Sequence, residues 1–143
     1  MKIRVLLVDD EKEFTDVLAE RLATRDFEVT KTLSGDEALA QINEKAIDVV
    51  ILDVLMPGKD GVTTLRGIKQ LKPLIEVIML TGHATVESGV EGMKLGAYDY
   101  LMKPTETKDL VEKIVKAYKR KVEQEERIRQ AEIERIMLRR GWD

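Results

Sequence analysis

The sequence predicts a single α/β domain built on an open, doubly wound parallel sheet of five strands. Short apolar runs rich in β-branched residues recur along the chain, and patterns of helical spacing separate them. Parallel strands need long crossovers, and each crossover buries an apolar helix face, so helices are expected on both faces of the sheet. With 143 residues, the chain is too short for a barrel of eight such units.

The first two strand and helix units are expected within residues 3–45. The unbroken apolar run at 3–8 is typical of a strand buried on both faces, and apolar residues at helical spacing predict a helix over 11–25. A second strand is expected at 27–33. Ser34 and Glu37 have the spacing of a capping box, which predicts that the second helix begins there.

The remaining three units follow without a change in composition. The most hydrophobic run, 47–56, is expected at the centre of the sheet, and a helix over 61–72 ends before Pro73. A strand at 75–81, a helix at 84–96 and a strand at 98–104 come next. Thr105 is the predicted N-cap of the final helix.

Composition excludes several classes of function. A net charge of -3 argues against a general nucleic-acid binder, and the absence of cysteine excludes disulfides and zinc-thiolate sites. A single histidine, His83, excludes a multi-histidine metal site. No apolar run reaches the length of a membrane span and the N-terminus does not resemble a signal peptide, so a cytoplasmic protein is expected.

Polar residues cluster at the carboxyl ends of the predicted strands, where open parallel sheets bind their ligands. These residues are Asp9, Asp10, Asp53, Thr81 and Lys103. Three carboxylates in one crevice repel each other unless a cation is bound, and oxygen ligands without histidine or thiolate favour Mg²⁺ or Mn²⁺. The hydroxyl and the ammonium group suit an anion with several oxygens, such as a phosphoryl group.

Each of these residues also has a purely structural interpretation. Asp9 or Asp10 could cap the helix that follows, and Thr81 and Lys103 taken singly could be a strand-end hydroxyl and a solvated lysine. Asp53 is harder to explain in this way, because an unpaired carboxylate within an apolar strand would cost several kcal/mol or stay protonated.

Four motifs carry a family resemblance: VLLVDDE, VILDVLMPGKDG, VIMLTGHA and GAYDYLMKP. In this order and spacing they resemble the receiver domain of two-component response regulators, and residues 80–104 resemble the receivers of enhancer-binding transcription activators. The resemblance implies a flavodoxin-like (βα)5 sandwich with strand order 2-1-3-4-5 and an extended C-terminal helix. It divides the chain into a receiver domain, 1–119, and a helical extension, 120–143.

The resemblance also implies a chemistry for the strand ends. Asp53 would be the phosphoacceptor, taking its phosphoryl group from a sensor histidine kinase or a phosphotransfer protein. Asp9, Asp10, Asp53 and the backbone carbonyl of Leu55 would hold Mg²⁺. Lys103 would contact a phosphoryl oxygen, and Pro104 would follow a cis peptide bond.

Further residues would switch or tune the domain. Thr81 would move to the phosphoryl group while Tyr100 turns inward, which alters the surface of the fourth helix, fifth strand and fifth helix. Gly82 would leave space beside the acceptor, and Leu55 and His83 would set the phosphate lifetime. A sheet-edge role for Tyr100 and an exposed, inactive His83 are the alternatives.

The charged segment 119–143 is expected to extend the last helix. It could dimerise, dock a partner or remain a solvated helix that frays, and a homodimer could alternatively use the surface around the fourth helix. Twenty-five residues are too few for a DNA-binding domain with its own core, so direct DNA binding is not expected. The chain is then a stand-alone receiver or a piece of a longer regulator.

The sequence leaves two alternative functions open. A Mg²⁺-dependent phosphatase with an aspartate nucleophile, of the haloacid-dehalogenase type, would need a second aspartate at Leu55. A receiver-like interaction module would act without phosphate. Nucleotide binding is disfavoured because neither common phosphate-binding glycine motif occurs. The prediction is a signalling receiver that catalyses its own phosphorylation and dephosphorylation, not a conventional turnover enzyme.

Overall fold

The computed structural model describes residues 2–56, 60–82 and 86–141. Its strands are β1 (Arg4–Val8), β2 (Glu28–Thr32), β3 (Val49–Leu52), β4 (Glu76–Thr81) and β5 (Asp99–Met102). Its helices are α1 (Lys12–Ala23), α2 (Gly35–Glu44), α3 (Gly61–Leu71), α4 (Val86–Lys94) and α5 (Thr107–Arg139). The predicted alternation of strands and helices is confirmed.

The five strands form one parallel sheet in the order β2-β1-β3-β4-β5. This is the predicted order, and β3 is central as expected. The chain reverses its winding direction between β1 and β3, so these adjacent strands leave a crevice beyond their carboxyl ends. Asp9 and Asp53 lie at that crevice, directly after the two strands.

Two apolar cores lie on opposite faces of the sheet. Alternate residues of the central strands, such as Leu6 and Val5, contribute to different cores because side chains alternate along a strand. On one face α1 and α5 pack through Leu22 and Ile114, and on the other α2 and α3 pack through Ile42 and Leu65. This burial on both faces explains the unbroken apolar runs within these strands, which are residues 5–8 of β1, 49–52 of β3 and 77–80 of β4.

Element boundaries differ from the predictions in places. β3 ends at Leu52, so Asp53 lies immediately after the strand instead of within it. Thr105 is not the N-cap of the last helix: its hydroxyl donates to the carbonyl of Met102 at 2.7 Å, and Glu106 occupies the cap position. The Ser34 capping prediction is confirmed, since its hydroxyl accepts from the backbone N–H of Glu37.

Helix α5 continues for 33 residues and includes most of the predicted extension. From Val122 onward the extension is largely solvated, and ion pairs between Lys121 and Glu125 and between Glu126 and Arg129 lie along it. Within the described residues, no helix combines the length and apolar character that a membrane crossing requires.

Asp48 carries a buried carboxylate and directly precedes β3, at the end of the sheet where the strands begin. Its oxygens accept from the Arg4 backbone N–H and guanidinium at 2.9 to 3.1 Å and from Lys121 at 3.2 Å. Burial alone would raise the pKa of Asp48, but these hydrogen bonds outweigh it and the pKa is lowered. Asp48 therefore favours the folded state in its ionised form.

An Asp48→Asn substitution is expected to lower the free energy of unfolding by about 2–3 kcal/mol at pH 7. Because the folded-state pKa is depressed, this contribution is complete above the unfolded pKa of about 4 and is lost as the pH falls through the folded value. Urea unfolding from pH 7 to pH 3 should show the two proteins converging in acid. A constant difference over this range would contradict the assignment.

Candidate functional site

Three carboxylates converge at the crevice beyond β1 and β3. Asp9, Asp10 and Asp53 each offer an oxygen, and these oxygens lie within 4.8 Å of one another. Asp9 and Asp53 are buried at 4% and 3% exposure, while Asp10 is exposed. This set of hard oxygen donors fits a divalent cation that keeps several waters on its open side, as Mg²⁺ does.

Backbone N–H groups hold the two buried carboxylates in place. One oxygen of Asp53 accepts from the N–H of Val54 at 2.7 Å, and one oxygen of Asp9 accepts from the N–H of Glu11 at 2.9 Å. Glu11 is itself the N-cap residue of α1, without a side-chain cap. Asp9 thus helps order the start of α1, but its second oxygen faces the site.

Lys103 reaches into the site from the residue after β5. Its ammonium nitrogen lies 2.7 Å from Asp9 Oδ2, 3.1 Å from Glu11 Oε1 and 3.9 Å from Asp53 Oδ2. The same nitrogen lies 3.9 Å from the centroid of the Phe14 ring. Lys103 is therefore a partly buried counter-charge to the carboxylates, not a solvated lysine.

The pKa values reflect this burial and pairing. Burial raises the pKa of Asp9, and the hydrogen bond from Lys103 only partly offsets it. Burial lowers the pKa of Lys103, but its hydrogen bonds to Asp9 and Glu11 outweigh this effect and the net shift is upward. Lys103 accordingly remains a fixed cation at neutral pH.

Sequence reasoning missed Glu11 and Phe14 as neighbours of Lys103. Glu11 is the third acid of the VDDE segment, which is a usable signal, whereas the apolar spacing that includes Phe14 predicts only a helix face. Both lie on the first turn of α1 or directly before it. Their contact with Lys103 depends on the packing of α1 beside the end of β5.

Thr81 is the last residue of β4 and is completely buried. Its carbonyl accepts from the backbone N–H of Lys103 at 2.9 Å, so these two predicted site residues are neighbours. Gly82 is exposed, and a Cβ built on it meets no described atom within 4 Å. Leu55 is 52% exposed. His83 lies outside the described residues.

Tyr100 lies on β5 and its side chain packs against α4. Its ring lies against Gly89 and Gly92, and its hydroxyl is 2.7 Å from the hydroxyl of Ser88. Sequence reasoning did not single out Ser88. This contact links β5 to α4. The peptide bond between Lys103 and Pro104 is cis, which confirms the prediction for Pro104.

Gly61 brings the chain back against the backbone of Asp53 and Val54. The N–H of Gly61 donates to the carbonyl of Val54 at 2.7 Å. A Cβ on Gly61 would lie 2.2 Å from the carbonyl oxygen of Asp53 and 2.6 Å from the Cα of Val54. Both obstacles are backbone atoms, so this position requires glycine for close approach.

A Gly61→Ala variant is expected to lose about 1–3 kcal/mol of unfolding free energy, because the backbone that carries Asp53 must move. Gly89→Ala is the matched control: its Cβ would meet the Tyr100 ring at 3.6 Å, an ordinary contact, within a helix that favours alanine. Urea denaturation compares the two. Equal stability of both variants would show that the loop adjusts freely.

Comparison with known proteins agrees with this geometry. The family model described as the response regulator receiver domain matches residues 5–115. The transcriptional regulatory protein ZraR of Salmonella typhimurium is 41% identical over 116 residues, which are 81% of this chain and 26% of that protein. The protein CpxR of Klebsiella pneumoniae is 40% identical over 78% of this chain and 47% of its own length. The chain thus spans about a quarter to a half of these curated relatives.

Solved structures give the same result. A CheY-like receiver domain protein from Methanospirillum hungatei superimposes with a TM-score of 0.83 at 30% identity, over 87% of this chain and 99% of that one. NtrX from Brucella abortus gives 0.82 at 33% identity, over 88% of this chain and 29% of that one. The similarity to ZraR and NtrX agrees with the resemblance to receivers of enhancer-binding activators. The chain belongs to the receiver domain family of two-component response regulators.

Proposed function

We propose that Asp53 accepts a phosphoryl group and that this event is the input to the domain. The observation that carries the proposal is the cluster of Asp9, Asp10 and Asp53 with Lys103 Nζ 3.9 Å from an Asp53 oxygen. The cluster supplies a nucleophile, ligands for a divalent cation and a fixed positive charge. Phosphoryl transfer depends mainly on such positioning and charge stabilisation.

In the proposed reaction an Asp53 carboxylate oxygen attacks the phosphorus of a phosphohistidine. The new O–P bond forms as the P–N bond breaks, and the bonding electrons leave with the imidazole of the donor. Asp10, Asp53 and the carbonyl of Leu55 would hold Mg²⁺, or Mn²⁺ in its place, with Asp9 as a direct ligand or through a metal-bound water. The bound cation supplies neutralisation of the charge that develops on the phosphoryl oxygens.

Lys103 would exchange part of its ion pair with Asp9 for a phosphoryl oxygen. Thr81 would donate its hydroxyl to the same group, and Tyr100 would turn inward behind it, which would change its contact with Ser88. The surface of α4, β5 and α5 would then present two arrangements, whose balance the phosphoryl group shifts. Gly82 keeps the approach open, and Leu55 and His83 would flank the attacking water during hydrolysis.

The test is incubation with a small acyl phosphate in the presence and absence of Mg²⁺, followed by intact mass measurement. We expect a gain of one phosphoryl group that requires the cation, and a chelator should prevent it. Beryllofluoride should bind under the same conditions, which fluorine NMR would detect. Labelling that is equally fast with chelator would contradict the metal-assisted mechanism.

The proposal favours a signalling receiver over the two rival functions. The donor would be a sensor histidine kinase or a phosphotransfer protein, and hydrolysis of the aspartyl phosphate would return the domain to its resting state without a separate turnover substrate. A phosphatase of the haloacid-dehalogenase type lacks its second aspartate, because Leu55 stands there. The chain would work in the cytoplasm, with which its cysteine-free composition is compatible.

The extension of α5, residues 120–143, is proposed to dimerise two receivers of residues 1–119. Ile133, Ile136 and Met137 have helical spacing on one face and are 43%, 47% and 38% exposed. The other candidate surface carries Val90, Met93 and Met102, which are also about half exposed. Either surface would bury apolar area that now faces solvent.

A chain that ends at Glu125 is expected to sediment as a monomer at concentrations where the full chain is a dimer. Removing residues 126–143 takes away the exposed apolar face and leaves the part of α5 that contacts the sheet. Analytical ultracentrifugation of both chains, with and without beryllofluoride, measures the effect. An unchanged dimer in the shorter chain would assign dimerisation to the surface around α4.

A further inference from the structure

Two acidic residues are buried at the N-terminal ends of the strands, at the opposite end of the sheet from the proposed phosphorylation site. Asp48 precedes β3 and Glu76 begins β4, and they are only 1% and 4% exposed. A buried carboxylate is costly unless cations and hydrogen bonds compensate it. The proposed reaction uses neither residue, so their charges call for another explanation.

The helical extension supplies cations to both acids. The Arg120 guanidinium makes a two-pronged contact with Glu76, in which Nη2 lies 2.8 Å from Oε1 and Nε contacts Oε2, and it also stacks 4.6 Å from the centroid of the Tyr98 ring. Lys121 Nζ lies 3.2 Å from Asp48 Oδ1 and is only 11% exposed.

These contacts constrain the helix in two directions. Consecutive residues point about 100° apart around a helix axis, so Arg120 and Lys121 hold neighbouring strands from two sides of α5. The planar guanidinium fork also fixes its own angle to the carboxylate, which a lysine cannot do. The buried residues Leu110, Ile114 and Ala117 already hold the first part of α5 against the sheet. The two adjacent ion pairs act just beyond that part, where they oppose bending of the extension away from the sheet.

The same two strands carry the site. β3 lies between Asp48 and Asp53, and β4 runs from Glu76 to Thr81. Each strand therefore has one of the two buried acids at its N-terminal end and a site residue at its C-terminal end. Five residues of strand span about 16 Å. The extension is therefore attached to the strands that present the proposed phosphoacceptor and switch hydroxyl.

We propose that Arg120 and Lys121, with Glu76 and Asp48, form a clamp that mounts the extension rigidly on the sheet. The extension then projects at one fixed angle to the receiver, as a rod and not as a flexible tether. A second copy or a further segment that contacts the extension is consequently held at a defined orientation to the site. Arg120 and Lys121 are positioning residues in this scheme and take no part in the chemistry.

Paired spin labels can test the clamp, because the chain has no cysteine of its own. We place one cysteine at Asn43 on α2 and one at Gln130 on the extension, both at exposed positions. The distance between the two spin labels changes with the angle between the receiver and the extension. Labelled protein is diluted into unlabelled chain so that only distances within one molecule are recorded. We expect a narrow distance distribution for the otherwise unaltered protein.

The double variant Arg120→Ala/Lys121→Ala should broaden this distribution at least about twofold. The matched control is Lys116→Ala/Lys119→Ala, which removes the same charge from exposed positions of α5 and should leave the width unchanged. Arg120→Lys keeps the charge but loses the fork, and an intermediate width is expected. The double variant should still fold, because Arg4 continues to pair with Asp48 and Lys69 with Glu76.

Two results would overturn the clamp: a broad distribution in the unaltered protein, or equal widths in the double variant and its control. Urea unfolding of the double variant verifies that the receiver remains folded during the measurement. No phosphoryl donor is present, so failure of the clamp and failure of Asp53 as acceptor are separate outcomes. A narrow distance distribution in a protein that fails to accept a phosphoryl group would support the clamp and contradict only the proposed role of Asp53.

Discussion

Replacing Asp53 by asparagine is expected to reduce Mg²⁺-dependent phosphoryl uptake from a small acyl phosphate at least about 100-fold. The amide lacks the anionic oxygen that attacks phosphorus, and removing a covalent nucleophile costs enzymes far more than this factor. Asp53 also contributes one of the three carboxylates that lie within 4.8 Å of one another, so the variant should bind Mg²⁺ more weakly. Intact mass against time measures uptake, and Mg²⁺ titration measures affinity.

Asp48→Asn is the matched control, because it makes the same change at a buried position at the opposite end of β3. We expect it to retain phosphorylation despite its lower stability. The Asp53→Asn variant, by contrast, should be at least as stable as the unaltered protein without metal, because one of three repelling charges is gone. Uptake by Asp53→Asn at the normal rate would show that another residue is the acceptor.

Replacing Lys103 by methionine is expected to have the second largest effect. Methionine retains much of the apolar stem but leaves Asp9 and Glu11 without the ammonium group that lies 2.7 and 3.1 Å from them. Breaking a largely buried pair of this kind costs about 3–5 kcal/mol, and solvent access at Glu11 places the expected loss near the lower end. Phosphoryl uptake should fall about 100-fold, because a fixed positive charge is lost.

Mg²⁺ distinguishes this electrostatic explanation from simple loss of packing. The cation stabilises the folded state by binding the same carboxylates, so it should restore more stability to Lys103→Met than it adds to the unaltered protein. Urea unfolding with Mg²⁺ and with chelator gives both values. If Mg²⁺ stabilises the two proteins equally, Lys103 does not neutralise the site.

Lys113→Met provides the comparison for an exposed lysine. Lys113 pairs with Asp99 at 2.6 Å, but the two side chains are 40% and 28% exposed. Such exposed pairs contribute little to stability, because water screens them and both side chains lose freedom on pairing. A similar stability loss in both lysine variants would indicate that burial does not amplify the Lys103 contacts.

The amino-acid sequence by itself determined the order of strands and helices and the edge of the sheet that carries the site. Apolar periodicity is local, and the motifs around Asp9, Asp53, Thr81 and Lys103 stand at successive strand ends. The parallel topology then brings those ends together, because all the strands run in one direction. The carboxylate cluster could be predicted for this reason.

Only the tertiary structure decided which groups compensate the buried charges. Lys103 meets Asp9 across 94 residues, Arg120 meets Glu76 across 44 and Lys121 meets Asp48 across 73, and no local pattern marks these pairs. The Arg120 and Lys121 pairs depend on where α5 lies against the sheet, which the packing of its apolar face decides. Sequence periodicity places a charged side chain on a helix face, whereas its distance from a carboxylate follows from the position of the whole helix.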